Sequence, residues 1–401
     1  MAYSLLKRVY TAFNPPSEPK TAEPLKFGIL GAARIAPPAL IQPAKSHPDV
    51  VVYAVAARDI NKATKYAKKW GIEKVFGGKG SYQELLDDPQ VDVVYNPLPN
   101  GLHYEWTMKA LQAGKHVLLE KPSSNSAEET RKMFELAEKN GLVLLEAFHY
   151  RFHPAIQRLK AILDSGELGT IKSIESMLHI PKGFVGEDDI RYQFELGGGA
   201  LMDCGCYTVS STLYLASSTP SEVPTAKALT VPTNPHIDRA MTATLAFPAP
   251  KSNITASISG HLSNPNKWGI LPKLGEIYVK VECEGGEATL GNFVMPTIYH
   301  WIEVKKTGNG GKVERRVEKA YIWPAGQKDA KGEEWWTTYR FQLEAFVDQV
   351  RGRKPQTWMT AQESIDNMKT IEMIYAKAGL DPRPASTYVL PAEPDASTVP
   401  V

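Results

Sequence analysis

A doubly wound α/β domain followed by an α+β domain with an open, largely antiparallel sheet is the fold class this sequence predicts. Three observations carry it. From Leu25 to about Phe148, short runs rich in Val, Ile and Leu alternate with amphipathic stretches. That pattern marks βαβ units whose strands are buried on both faces. After Phe148 the rhythm changes to strands with partial period-two alternation, interleaved with longer helices. Finally, 401 residues are too many for one ordinary core, so two domains are expected.

The first half runs "LKFGIL", "VVVYAVAAR", a helix after Asp59, "VDVVYNPLP", a helix through Trp106 and Leu111, and "KHVLLE". A helix from about Ser126 to Asn140 and the run "LVLLEAF" close the series. Right-handed crossovers turn such a series into a doubly wound parallel sheet. The second half offers the strands "IKSIESMLHI", "MTATLAF", "NITASISGHL", "EIYVKVEC" and "YHWIEV". Helices are expected from about His153 to Ser165, Gly199 to Ala216, Trp335 to Arg351 and Ala361 to Ala378. The predicted organisation is an extended arm (1–24), the α/β domain (25–147), the α+β domain (148–385) and a loose tail (386–401). The aromatic group Trp335, Trp336, Tyr339, Phe341 and Phe346 reads as core.

Composition excludes several classes. Hydrophobic residues make up 43% and charged residues 22%, as in globular proteins, and the net charge is only +2. With no block of like charges, nucleic acid and anionic membranes are poor partners. No apolar run reaches transmembrane length, and the first twenty residues lack a secretory h-region. Cys204, Cys206 and Cys283 form neither a disulfide framework nor a C-x-x-C zinc pattern. A reducing, cytoplasmic location is therefore expected, where the sequon at Asn253 is irrelevant. No metal site is read.

The first strand ends in "GILGAARIA", where a dinucleotide fingerprint would place G-x-G-x-x-G. Gly31, Ala33 and Ala36 occupy its three positions, and Arg34 and Ile35 lie within it. The strand–turn–helix context is right and the letters are degenerate. Pro37 and Pro38 suit a first helical turn, whereas Pro43 predicts a short or kinked helix. The second strand ends at "AARD". Arg58, with Lys62 one turn later, suits a ribose 2′-phosphate and favours NADP over NAD. Asp59 competes as the acid of an NAD site or serves as a helix cap. A solvated Arg–Asp pair is the plain alternative.

Polar groups stand in apolar surroundings at three places. Glu120-Lys121-Pro122 ends the fifth strand, and ligands of open α/β sheets bind beyond the carboxyl ends of strands. "GGGALMDCGCYTV" places Asp203 and Tyr207 four apart, on one helical face. "AFHYRFHP" follows the sixth strand with His149, Arg151 and His153. Read bare, Lys121 is a solvated strand end, and Asp203 with Tyr207 a hydrogen-bonded helix start.

"GILGAARIA", "LPNGLH", "EKP" and "GGGALMDCGCY", in this order, resemble the Gfo/Idh/MocA oxidoreductases over nearly all of residues 25–385. "VAARD" and a tyrosine at 207 are most similar to the NADP-dependent sugar and dihydrodiol branch. The resemblance implies a Rossmann domain followed by an open-faced sheet domain that pairs in homodimers. It implies a catalytic Lys121, Tyr207 and Asp203. It also implies a cofactor loop of Pro97, Leu98, Pro99, Asn100 and His103, a 2′-phosphate arginine at Arg58 and a cofactor-side Arg151. Arg191 is implied as a pocket residue with Asp203 and Tyr207. His149 departs from the branch, which has an aromatic there, and marks the substrate pocket.

The chemistry follows. Hydride transfer from a carbinol needs a base, and free tyrosine titrates near 10. Lys121 beside Tyr207 is expected to lower that value, while Glu120 pairs structurally. The expected function is an NADP-dependent oxidoreductase on a carbohydrate, aldose C1 to lactone or the reverse, or a related cyclic polyol or dihydrodiol. The alternatives are an NAD(P)-assisted glycoside hydrolase and a non-catalytic dinucleotide-binding regulator. Residues 1–24 are expected to help retain cofactor.

Overall fold

A computed structural model describes residues 5–391, except 187, 249–253, 267–274, 309–310 and 325–330. Asn253 and residues 392–401 of the expected tail therefore lie outside the described residues.

The N-terminal arm is not simply extended. Its helix α1 (Leu5–Phe13) docks through Arg8, which is buried. The Arg8 Nε donates to the Thr297 carbonyl at 3.0 Å, Nη2 donates to the Tyr321 hydroxyl at 2.9 Å, and the guanidinium lies 3.7 Å from the Tyr321 ring centre. Lys20 then donates to the carbonyls of Ala44 and His47 at 2.7 and 3.0 Å. Within α1, Ala12 lies one turn after Arg8 and is buried beside it.

Six parallel strands form the first domain: β1 (Leu25–Leu30), β2 (Val50–Ala57), β3 (Lys74–Gly77), β4 (Val93–Asn96), β5 (His116–Leu119) and β6 (Leu144–Glu146), in the order β3-β2-β1-β4-β5-β6. β4 and β6 are buried along their whole length because helices cover both faces. Chain order reverses beside β1, so a crevice opens between the carboxyl ends of β1 and β4. Pairing of Ile29 with Tyr95 and of Asn96 with Leu119 brings Gly31, Pro97 and Glu120 to one rim. The helix after β1 is short, as Pro43 requires. A π-helical turn (Pro37–Ile41) runs into α2 (Gln42–Lys45). Four further helices cross the sheet: α3 (Ile60–Trp70), α4 (Ser81–Asp87), α5 (His103–Gln112) and α6 (Ala127–Lys139).

The second domain contributes α7 (Pro154–Asp164), α8 (Cys206–Ala216), α9 (Thr338–Val350) and α10 (Ala361–Ala378) around an eight-stranded sheet. Its strands are β7 (Ile171–Pro181), β8 (Glu222–Val231), β9 (Asn234–Phe247), β10 (Ile254–Asn264), β11 (Glu276–Cys283), β12 (Gly286–Gly291), β13 (Trp301–Thr307) and β14 (Val313–Glu318). The order is β14-β13-β12-β11-β7-β10-β9-β8, antiparallel except for the β7–β10 pair. The sequence reading omits β3, β8, β12 and β14. Three of these are sheet edges. β14 is charged, with Arg315 paired to Glu303 and Arg316 to Glu167, and β8 carries Pro224. Edge strands lack the buried face that creates a pattern and are protected by charge and proline.

Residues 384–388, the first part of which precedes the expected tail, pack on the first domain. The Asn125 Nδ2 donates to the Pro384 carbonyl at 2.7 Å, the Ser386 amide to Glu129 Oε1 at 2.6 Å, and Tyr388 packs edge-on against Tyr104. Phe27 likewise meets Phe346 of α9, so one core runs through both domains. Among the described residues, no helix is long and apolar enough to cross a membrane.

Candidate active site

β5 carries its burial to the last residue and then delivers two charged positions and a proline. Glu120 is buried and accepts from the Tyr95 hydroxyl at 2.7 Å. Lys121 reaches across to the second domain, where its Nζ donates to Asp203 Oδ1 at 2.8 Å and to the Asp203 carbonyl at 3.2 Å. The peptide bond from Lys121 to Pro122 is cis. Arg191 Nε holds the other Asp203 oxygen at 2.7 Å, and its Nη1 donates to Asp189 at 2.9 Å.

This alternating chain of charges sets the protonation states. Burial opposes both ions of the central pair, yet the opposite charges prevail. Lys121 is held above the usual lysine value by Asp203, and Asp203 is held well below the carboxylate range by Lys121 and Arg191. Both are therefore ionised throughout the neutral range.

Tyr207 behaves differently from expectation. Burial pushes its hydroxyl well above 10. Lys121 does not lower it, because the ammonium is committed to Asp203 and stands 4.9 Å from the ring centre. The hydroxyl bonds instead to His149 Nε2 at 2.9 Å. In this structure Tyr207 is a neutral phenol, suited to donating a proton.

The glycine-rich segment that precedes Asp203 and Tyr207 is positioned from a distance. Asp203 sits in a π-helical turn (Leu201–Gly205) that leads into α8. Asp238 Oδ2 accepts from the Leu201 amide at 2.6 Å, and Arg383 Nε donates to the Gly198 carbonyl at 2.6 Å. Arg383 and Asp238 themselves pair at 2.6 Å with both side chains fully buried, and the Tyr375 hydroxyl completes the network. Gly199 has φ +132°, and a Cβ there would lie 2.3 Å from Asp238 Oδ1, so only glycine fits. Sequence reasoning missed Asp238, Tyr375 and Arg383. No local signal marks them, since 145 residues separate the ion pair.

A cavity of about 310 Å³ lies above the β1/β4 crevice. Ile35, Pro97, Leu98, Asn100, Glu120 and Lys121 line its cofactor side. Arg191, Asp203 and Tyr207 line the side toward the second domain, joined by Tyr339, which sequence reasoning placed in the core. Other expected residues stand outside the cavity wall. Gly31 turns with φ +85° beside Leu98, the Ala33 carbonyl accepts from the Tyr66 hydroxyl at 3.0 Å, and Arg34 is exposed. His103 is buried beneath the loop, its ring nitrogens 2.7 and 2.8 Å from the Leu98 and Pro122 carbonyls. His149 is behind Tyr207, not in the pocket. Arg151 is carried to a separate cavity of about 360 Å³, where it pairs with Glu363 at 2.9 Å and stacks on Tyr214.

The residues present fit a dinucleotide phosphate. Gly31 permits the backbone turn at the end of β1, and Arg58 and Lys62 are exposed at the end of β2. Asp59 caps α3, accepting from the amides of Asn61 and Lys62 at 2.8 and 3.2 Å. Its carboxylate is thus spent on the helix rather than on Arg58, whose guanidinium hydrogen-bonds the Tyr82 hydroxyl and keeps donors for an incoming anion.

Comparisons with known proteins agree with this architecture. Residues 25–148 match a family described as oxidoreductases with an NAD-binding Rossmann fold, and residues 156–287 match the GFO/IDH/MocA C-terminal domain. A D-xylose 1-dehydrogenase (NADP(+)) from Haloferax volcanii is 35% identical over 361 residues, covering 88% of this chain and 97% of that protein. A dTDP-3,4-didehydro-2,6-dideoxy-α-D-glucose 3-reductase from Actinomadura kijaniata is 39% identical over 48% of this chain and only 56% of its own length. Among solved structures, the 3-ketoreductase KijD10 from Actinomadura kijaniata with NADP and TDP-benzene superposes with a TM-score of 0.72 at 26% identity, covering 88% of this chain and 98% of that one.

Proposed function

Since the chain belongs to the Gfo/Idh/MocA oxidoreductases, we propose that its cavity oxidises a carbinol carbon of a carbohydrate, aldose C1 to the lactone, or reduces the corresponding carbonyl, with NADP. The convergence of Lys121, Asp203 and Tyr207 beside the dinucleotide crevice carries this reading. Bound nicotinamide supplies the hydride acceptor or donor. The ammonium of Lys121 hydrogen-bonds the reacting oxygen and stabilises the negative charge that develops on it. Tyr207 exchanges the proton of that oxygen. Asp203 fixes the lysine and, with Arg191 and Asn100, offers the hydrogen bonds that sugar hydroxyls require. The xylose dehydrogenase relative supports an aldose.

Addition of NADP+ and a panel of aldoses and a trans-dihydrodiol, read at 340 nm, tests it. A rise with one aldose establishes the reaction. No turnover of any of them in either direction removes it. Arg58→Ala is expected to weaken NADP binding about tenfold to a hundredfold, the loss of one charge-assisted contact of ~1.5–3 kcal/mol, and to leave NAD binding nearly unchanged. Fluorescence titration with the two reduced cofactors checks this, and equal losses for both would deny Arg58 its role.

We also propose a cytoplasmic homodimer formed through the eight-stranded sheet. Along β10 every second residue from Ile254 is buried, while Thr255 and Ser257 on the alternate face are exposed. Light scattering should give twice the chain mass of 44.3 kDa.

A further inference from the structure

Tyr207 is a buried neutral phenol, and a phenol oxygen is too weak a base to accept a second proton without giving its own away. The structure supplies an outlet behind it. His149, at the start of the turn that follows β6, is 1% exposed and faces Tyr207 through Nε2 at 2.9 Å. Its Nδ1 lies 2.7 Å from Thr338 Oγ1, at the first turn of α9. The Tyr339 ring packs against the imidazole at 4.0 Å and holds its plane. Thr338 in turn lines a small cavity of about 20 Å³ with Gln42, Ala12, Phe13 and Ile298. That volume accommodates about one water. Phe13 and Ile298 are partly exposed, so this cavity lies at the surface beneath α1.

We propose that His149 and Thr338 form a proton relay joining Tyr207 to solvent under the N-terminal helix. The inference rests on the acid–base reading of Tyr207 above. In the oxidative direction the carbinol C–H bond breaks and its electron pair leaves as hydride to the nicotinamide. The carbinol O–H proton passes to the Tyr207 oxygen as the Tyr207 proton passes to His149 Nε2. The Nδ1 proton moves to Thr338, whose own proton goes to water in the side cavity. One proton is released per hydride. Once product has left, water in the substrate cavity takes the Tyr207 proton as Nε2 returns one to Tyr207, and the side-cavity water returns one through Thr338 to Nδ1, which restores the first tautomer. Reduction runs the chain backwards. His149 and Thr338 touch neither substrate nor cofactor and are positioning residues.

The ring is suited to this because it stays neutral, with one nitrogen accepting and one donating. Burial, then the charge of Lys121, pushes it down to about 3. The groups facing it are Tyr207 from α8, Thr338 and Tyr339 from α9, and Lys121 from the end of β5.

Two substitutions separate relay from packing. His149→Gln retains a polar group near Tyr207 but transfers no proton. Thr338→Val keeps the shape and removes the hydroxyl. Both are expected to lower kcat about tenfold to a hundredfold, with NADP affinity and substrate KM within threefold of wild type. Both should also change the solvent deuterium isotope effect and the pH profile of kcat. Imidazole should restore His149→Ala more than Tyr207→Phe. In the unliganded protein, nitrogen-15 spectra should show a neutral His149 ring that keeps a single tautomer across pH 5–9 and loses that preference in Thr338→Val. Wild-type isotope effects and pH profiles in both variants, with turnover intact, would overturn the relay and leave the oxidoreductase reading standing. Absence of turnover in the wild type would overturn both.

Discussion

Lys121→Ala is expected to lower kcat/KM about a hundredfold to a thousandfold in either direction. The estimate is that for removing one preorganised charge from a developing oxyanion. The ammonium is placed at 2.8 Å from Asp203 and stays charged across the neutral range, so it needs no reorganisation as the reaction proceeds. Binding of NADP should change by less than threefold, since the phosphate contacts proposed above are at the ends of β1 and β2. Asp203 keeps Arg191 at 2.7 Å, so the fold should survive. Steady-state kinetics with a binding titration check the split between kcat and affinity. Lys121→Arg keeps the charge and moves it, and is expected to recover only part of the loss. If alanine turned over within threefold of wild type, Lys121 would be an ordinary interdomain ion pair.

The second large effect is on stability. Arg383→Met leaves Asp238 fully buried without its cation, and breaking such a pair costs about 3–5 kcal/mol. Burial already lifts the Asp238 carboxyl to about 6, with Arg383 opposing that rise, so it is ionised at neutral pH. Loss of the arginine should raise it further. Because the same pair holds Gly198 and Leu201, the variant should also lose activity through the displaced turn that carries Asp203. Asp238→Asn combined with Arg383→Met removes both charges and should be more stable than Arg383→Met alone, as a double-mutant cycle in urea would show. A single substitution that shifted the urea midpoint by no more than a surface change would mean that the pair contributes nothing net to stability.

What the sequence by itself determined is local. Strands buried on both faces must be continuous apolar runs, so β1, β2, β4, β5 and β6 were legible together with α3, α5 and α6. The glycine turn, the Glu-Lys-Pro strand end and the triple-glycine segment are likewise local, each requiring special backbone geometry or chemistry at one place. Those motifs pointed to Lys121, Asp203 and Tyr207, the family resemblance added Arg191, and the fold does bring these four to one cavity.

Only the tertiary structure decided the rest, because it depends on which distant surfaces meet. The edge strands β3, β8 and β14 carry little periodicity, as one side of each pairs with nothing. α1 buries only Arg8 and Ala12, and residues 383–390 are held by the Arg383 network, by hydrogen bonds to Asn125 and Glu129 and by Tyr388 and Leu390, contacts too scattered to leave a periodic pattern. Arg151 and His149 sit two residues apart, yet one faces Glu363 in a separate cavity and the other faces Tyr207. The protonation of Tyr207 was decided by burial and by the commitment of Lys121 to Asp203. No spacing in the sequence expresses that competition, because it is settled by distances between elements from two domains.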